Sequence, residues 1–196
     1  MPNFYKIPWI DDPLLFLSIK EDDYSTFVEK VYHHFHLINT PNIYGETLAH
    51  YCCYLGYIDK YYALIHMGAE IKKTKIEDTL LHYASLGGKD SFLVTELAKN
   101  GMSPLEKNKY GITPIHLSSD ETTTSYFLLW LEINNIPLNS IVDNRKNNPA
   151  HIAIKNGFNE IANYWINHNH QLEDALNIDN KKPREMILEP YLVCPY

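Results

Sequence analysis

Ten histidines and three cysteines hold most of the chemistry available to this chain of 196 residues. Two histidine groups are local, His33-His34-x-His36 and His168-x-His170. A zinc site needs four well-placed ligands, or three and a water, with thiolates or carboxylates nearby. His33, His34 and His36 are the set from which a metal-dependent protein or enzyme would be built, and that is one alternative for the chain. Both groups also fall near expected helix ends, where a histidine is favoured by the helix dipole. Cys52 and Cys53 are adjacent and poorly placed to pair, and Cys194 is the third. Three cysteines make no disulfide framework, so reduced thiols in an intracellular setting are expected. The sequence holds no Gly-rich phosphate loop, zinc-protease helix, nucleophile elbow or kinase signature. Its carboxylates are scattered, and no pair can be argued to converge. The expectation is a chain that catalyses nothing and holds no cofactor and no metal.

Composition narrows the setting. Apolar residues make up 45% and charged residues 21%, as in a folded protein rather than a disordered one. A net charge of −7 argues against general nucleic-acid binding. No apolar stretch approaches the roughly 18–20 residues that span a bilayer, so no membrane partner is expected. Met1 to Asp12 lacks the basic start and apolar run of a secretory signal, which makes the cytosol the expected location. A different kind of export signal would escape that test. The 15 tyrosines offer large contact area with few rotamers to freeze, in cores and on binding surfaces alike.

The remaining histidines belong to a repeat. Four tetrapeptides recur: Thr47-Leu48-Ala49-His50, Thr79-Leu80-Leu81-His82, Thr113-Pro114-Ile115-His116 and Asn148-Pro149-Ala150-His151, with their histidines 32, 34 and 35 residues apart. Gly45 and Gly111 stand two places before the threonine in the first and third. Self-similarity at this period is the signature of a stacked array of small units, none of which buries a core alone. The pattern resembles the ankyrin repeat, a turn with Gly followed by Thr-Pro-Leu-His-x-Ala, a Gly and a second helix. Residues 42–56 match it almost position for position, residues 148–157 nearly as closely, and the match covers roughly residues 42–176.

Local physics agrees with that resemblance. Thr47, Thr79, Thr113 and Asn148 stand where a side-chain oxygen caps a helix. Pro114 and Pro149 occupy a first helical turn, where the missing N–H costs nothing. Gly56, Gly88 and Gly157 fall just past a short first helix, where left-handed backbone is needed. The fold expected is all-α, an ankyrin-repeat solenoid of stacked helix–turn–helix units joined by short β-hairpin-like loops. Its divisions are a divergent N-terminal cap at 1–41, repeats at 42–73, 74–107, 108–142 and 143–176, and a C-terminal cap at 177–196. Three departures carry their own expectations. Glu77 and Lys146 replace the turn glycine, so those turns are expected to be distorted. Asp120-Glu121-Thr122-Thr123-Thr124 replaces the inter-helix Gly of the third unit, so an irregular turn is expected there. Asn135-Ile136-Pro137 stands where Gly-Ala-Asp would close that unit.

The resemblance implies a binding surface made of loop tips and the exposed face of the first helices. It also places His50, His82, His116 and His151 one per unit, too far apart to share a metal, bonding backbone or hydroxyl groups between neighbours. On the loops, Lys72, Lys73 and Lys75 flank the second turn, Lys107 and Lys109 the third, Arg145 and Lys146 the fourth, and Lys181 and Lys182 the last. Nine of the 17 basic residues thus recur at one place in the repeat and would line up as a positive stripe on an acidic molecule. A partner for that stripe presents an acidic or phosphorylated surface, and salt weakens its binding. Tyr44, Glu46, Tyr54 and Leu55 in the first unit, with Tyr110, Ile112, Asp120 and Glu121 in the third, form a second candidate patch, in which tyrosine is the natural anchor. Tyr51, Tyr61 and Tyr62 are expected to pack between helices instead. The function expected is a monomeric scaffold or adaptor that binds another protein. The alternative in the same class is a bacterial or parasite effector exported into a host cell.

Overall fold

A computed structural model describes residues 13–186, and they contain helices and turns and no strand. The ten α-helices are α1 (Pro13–Glu21), α2 (Tyr24–His33), α3 (Leu48–Leu55), α4 (Ile58–His66), α5 (Leu80–Gly87), α6 (Ser91–Lys99), α7 (Glu121–Ile133), α8 (Pro149–Lys155), α9 (Asn159–His168) and α10 (Gln171–Asp174). One-turn 3-10 helices at Pro114–Leu117 and Pro183–Glu185 take the first-helix place in the third and last units. The segment Met1 to Asp12, Cys194 and the tail at 189–196 lie outside the described residues. No helix among the described residues is long and apolar enough to cross a membrane.

Two rows of helices result. The inner row runs α1, α3, α5, the Pro114–Leu117 turn, α8 and the Pro183–Glu185 turn, each packed on the next. In the outer row α2 meets α4, α6 meets α7, and α7 meets α9. Between the rows lies one continuous apolar seam from Ile19 and Phe27 through Leu64, Leu81, Leu97 and Phe127 to Trp165, all fully buried. The inner helices approach closely: a Cβ on Gly87 of α5 would overlap the Tyr54 carbonyl of α3.

Four inner elements, α3, α5, the Pro114–Leu117 turn and α8, start with the same polar device. The backbone N–H of the cap residue donates to the histidine Nδ1 three residues on, at 3.1 Å for Thr47–His50, 3.1 Å for Thr79–His82, 3.2 Å for Thr113–His116 and 3.3 Å for Asn148–His151. With Nδ1 accepting, the ring proton sits on Nε2. There it donates to the next unit: His82 to the Ile112 carbonyl at 3.1 Å, His116 to Asn147 at 3.2 Å and His151 to Lys181 at 3.0 Å. His50 is the loose member of the series: its buried Nε2 makes no hydrogen bond of ordinary geometry, although the Asp78 backbone at the equivalent place lies close enough to act on its titration. That first junction is bridged instead by the Tyr83 hydroxyl, which donates to Glu46. In the last unit Glu185 replaces histidine and accepts from the Lys182 N–H at 2.8 Å.

Between units the chain makes five equivalent turns, beginning at Asn42, Thr74, Asn108, Asp143 and Asn177. In each, the amide of position one donates to the carbonyl of position five, and the amide of position four donates back to position one. A side-chain oxygen at position one accepts from the amide of position five in every turn. Position four is left-handed throughout, with φ 88° at Gly45 and 75° at Gly111, and 70° at Glu77, 60° at Lys146 and 56° at Asn180. The turns at Glu77 and Lys146 therefore keep the common geometry and are not distorted. Their smaller φ values fall nearer the left-handed well open to residues with a Cβ, at a cost of about 1 kcal/mol each.

The third unit departs further than its inter-helix turn. Its first helix shrinks to one 3-10 turn, because Asp120 caps α7 early by accepting from the Thr123 N–H at 2.9 Å. The unit then closes normally, with Asn135 at φ 54° where Gly68 and Gly101 have 91° and 95°. At the N-terminal end Lys60 is buried under α1. Its Nζ caps that helix through the Ile19 and Asp22 carbonyls at 2.5 and 2.7 Å, beside the Phe27 and Tyr57 rings.

Burial gives the histidine row a pH signature. It holds His50 and His116 down at about 4 and pushes His82 and His151 below the usual 6.5. An unfolded chain takes up these protons near pH 6.5 and the folded chain does not. Their contribution to stability is therefore complete above that pH and drains away as pH falls toward 4. The urea midpoint, followed by circular dichroism, is expected to fall steadily across that window and less steeply in His116→Gln. A midpoint that holds level would contradict buried neutral rings.

Candidate functional site

The five turns share one register. The amide of position two donates to the carbonyl of position three in the turn before: Lys75 to Tyr44 at 2.8 Å, Lys109 to Ile76 at 2.9 Å, Asn144 to Tyr110 at 3.0 Å and Ile178 to Arg145 at 2.9 Å. Positions two to four thus form a single stepped edge, most of whose side chains face solvent, with Tyr44 and Ile76 half-buried. Along it stand Ile43 and Ile178, 55% and 51% exposed, and Tyr110, 52% exposed. Ile43 and Ile178 both occupy position two, a recurrence that shows in the sequence only when the turns are aligned on it.

On this edge and its flanks, Lys72, Lys73, Lys75, Lys107, Lys109, Arg145, Lys146 and Lys182 are exposed and Lys181 is half-buried. The row is interleaved with acids. Lys72 pairs with Glu70 at 2.9 Å, Lys73 with Glu106 at 2.6 Å, Arg145 with Asp179 at 2.6 Å and Lys182 with Asp174 at 2.7 Å. Three of these pairs, Lys73–Glu106, Arg145–Asp179 and Lys182–Asp174, join neighbouring units. Exposed pairs of this kind contribute roughly 0–1 kcal/mol, so their main effect is on the local field. The Lys107 Nζ reaches the Val142 carbonyl at 3.3 Å.

The second candidate patch divides. Glu121 is exposed, and Asp120 is half-buried as the α7 cap. Tyr44, Tyr54 and Leu55 are half-buried, and Tyr54 and Leu55 pack against the core. Glu46 and Ile112 are corrections: both occupy position five, which points inward, and neither is part of the surface. Ile112 is 7% exposed and packs with Leu86, Leu117 and Ile152. Glu46 is fully buried, and its carboxylate accepts from Asn42 Nδ2 at 2.5 Å, from the Tyr51 hydroxyl at 2.9 Å and from the Tyr83 hydroxyl. Three donors replace the water it has lost. Tyr51 and Tyr61 are buried and Tyr62 partly so, between helices as expected.

Among the described residues, no group of three or more His, Cys, Asp or Glu converges in a way that could hold a metal ion. His33 and His36 are exposed at the end of α2 and just after it, and His34 bonds the Lys30 carbonyl at 2.9 Å. His168 caps the Tyr164 carbonyl at 2.8 Å. Burial pushes the Cys52 and Cys53 thiols well above their usual range, which leaves them unreactive. Neither protein-family models nor curated proteins give a match to this chain.

The buried carboxylate can be separated from the edge by substitution. Glu46→Ala strands two phenols and an amide, and is expected to cost about 3 kcal/mol of stability. Lys109→Glu, on the edge, is expected to cost less than about 0.5 kcal/mol. Chemical denaturation of both variants checks the pair, and equal losses would mean that Glu46 does not bear this load.

Proposed function

We propose that this chain is an ankyrin-type repeat array serving as a binding scaffold. Its macromolecular partner lies along the edge of the five turns and the adjoining inner-helix face. The observation that carries the proposal is the register of the turns, each tied to the next by one backbone hydrogen bond. Such an edge is rigid before any partner arrives, so little ordering entropy is lost on binding. Its exposed side chains, Ile43, Lys75, Lys109, Tyr110, Lys146 and Ile178 among them, face solvent and are open to recognition. The histidine caps and the repeated left-handed turn residue support the kinship with ankyrin repeats. The resemblance covers most of the described chain. A cytosolic adaptor and an exported effector would use the same surface.

Affinity capture with the full chain tests the proposal. A double variant, Lys109→Glu with Tyr110→Ala, is expected to lose the captured protein by tenfold or more, as loss of a tyrosine anchor does. Phe92→Ser, on the outer row, is expected to keep it. Capture that survives the edge variant and fails with the outer one would overturn the proposal.

A further inference from the structure

Cation pairing along the edge is uneven, and it picks out a shorter stretch than the whole row. Lys73 and Arg145 are held by Glu106 and Asp179 from neighbouring units, and Lys72 and Lys182 by Glu70 and Asp174. Among the described residues, no acid lies within ion-pair distance of the Lys75, Lys107, Lys109, Lys146 or Lys181 side chains. Lys107 reaches the Val142 carbonyl and Lys181 is half-buried, which singles out the exposed Lys75, Lys109 and Lys146. They occupy position two of the second turn, position two of the third and position four of the fourth. These are consecutive units in one backbone register. The edge acids Glu70, Glu106 and Asp179 are each taken up by a paired cation, whereas Glu77, exposed at position four of the second turn, is in no ion pair among the described residues and acts on Lys73 only at longer range.

From this we infer that turns two to four are the docking site for an extended, acidic protein segment with a carboxylate at every third residue. The inference rests on the scaffold reading above and names the chemistry of its partner. Units that pack helix on helix step by about 10 Å. Three residues of polyproline II rise about 9 Å and complete one turn, so every third side chain faces the same way at nearly that step. A β-strand covers a similar distance in three residues, but alternate side chains face opposite ways, and half its carboxylates would miss the edge. Tyr110 stands exposed between the second and third of these lysines in chain order and gives a flat apolar platform for the residues between the acids. The molecule as a whole carries −7, so an acidic segment is attracted here and repelled elsewhere. A nucleic-acid strand would meet that same overall repulsion over a longer contact, which favours a short protein segment.

The test uses the full chain and labelled synthetic peptides read by fluorescence anisotropy. The probe is a fourfold Asp-Pro-Pro peptide. Its control has the same composition with the four aspartates clustered at one end. The spaced peptide is expected to bind at least tenfold tighter than the clustered one and to weaken with added salt. A triple variant, Lys75→Glu, Lys109→Glu and Lys146→Glu, is expected to lose that difference, and Lys89→Glu to keep it. Equal affinity for the two peptides on the unaltered chain overturns the inference without reliance on any variant. So does a single-stranded oligonucleotide of equal charge that binds as tightly as the spaced peptide. If the edge variant loses the captured protein while the spaced peptide fails to bind, the scaffold reading stands and the acidic-segment inference falls. If capture ignores the edge, the scaffold reading falls.

Discussion

A buried neutral imidazole that accepts from its own unit and donates to the next is the constraint on which the rest of this structure depends. Three of the four ring histidines do both, and the ring of His116, with no more than 1% exposed, does so in the middle of the chain. Because Nδ1 takes the cap amide, the proton has to sit on Nε2, and the carbonyl it reaches lies at the end of the following turn. Helix start, turn position and unit-to-unit spacing are thereby set together. Burial supplies the energy through the apolar seam, and the imidazoles supply the register.

Once that register exists, the turns have little freedom left. Their position-two amides meet the preceding carbonyls, and position four must be left-handed whether or not it is glycine. Position five turns inward, which explains why Glu46, Asp78, Ile112 and Asn147 are buried despite their different chemistry. Positions two to four are left as the exposed edge, which carries three cations whose side chains no acid engages among the described residues.

Much of this was legible in the sequence. The histidine spacing and the cap residues before each histidine located α3, α5, the Pro114–Leu117 turn and α8, and Gly56, Gly88 and Gly157 located left-handed stops. What remained hidden has physical causes. The turn geometry at Glu77 and Lys146 is imposed by neighbouring units, and tertiary bonds outweigh a strain of about 1 kcal/mol per residue. The shortened first helix of the third unit came from Asp120, whose capping role over Thr123 competes with continuation of the Pro114–Leu117 turn. Burial of Glu46 depended on phenols five and 37 residues away, and only the nearer lies on its own helix hairpin. Two ion pairs of the edge, Lys73–Glu106 and Arg145–Asp179, join residues 33 and 34 apart, so they are visible once the units are aligned and invisible before.

Amide hydrogen exchange along the turn edge tests this account most directly. The amides of Lys75, Lys109, Asn144 and Ile178 each donate to the turn before, whereas that of Ile43, at the same position in the first turn, donates to no backbone carbonyl among the described residues. The account predicts that the four are protected together, by a factor of at least about 100 over the free chain, with Ile43 exchanging freely. Four amides that exchange as fast as Ile43 would mean that the turns do not share a register.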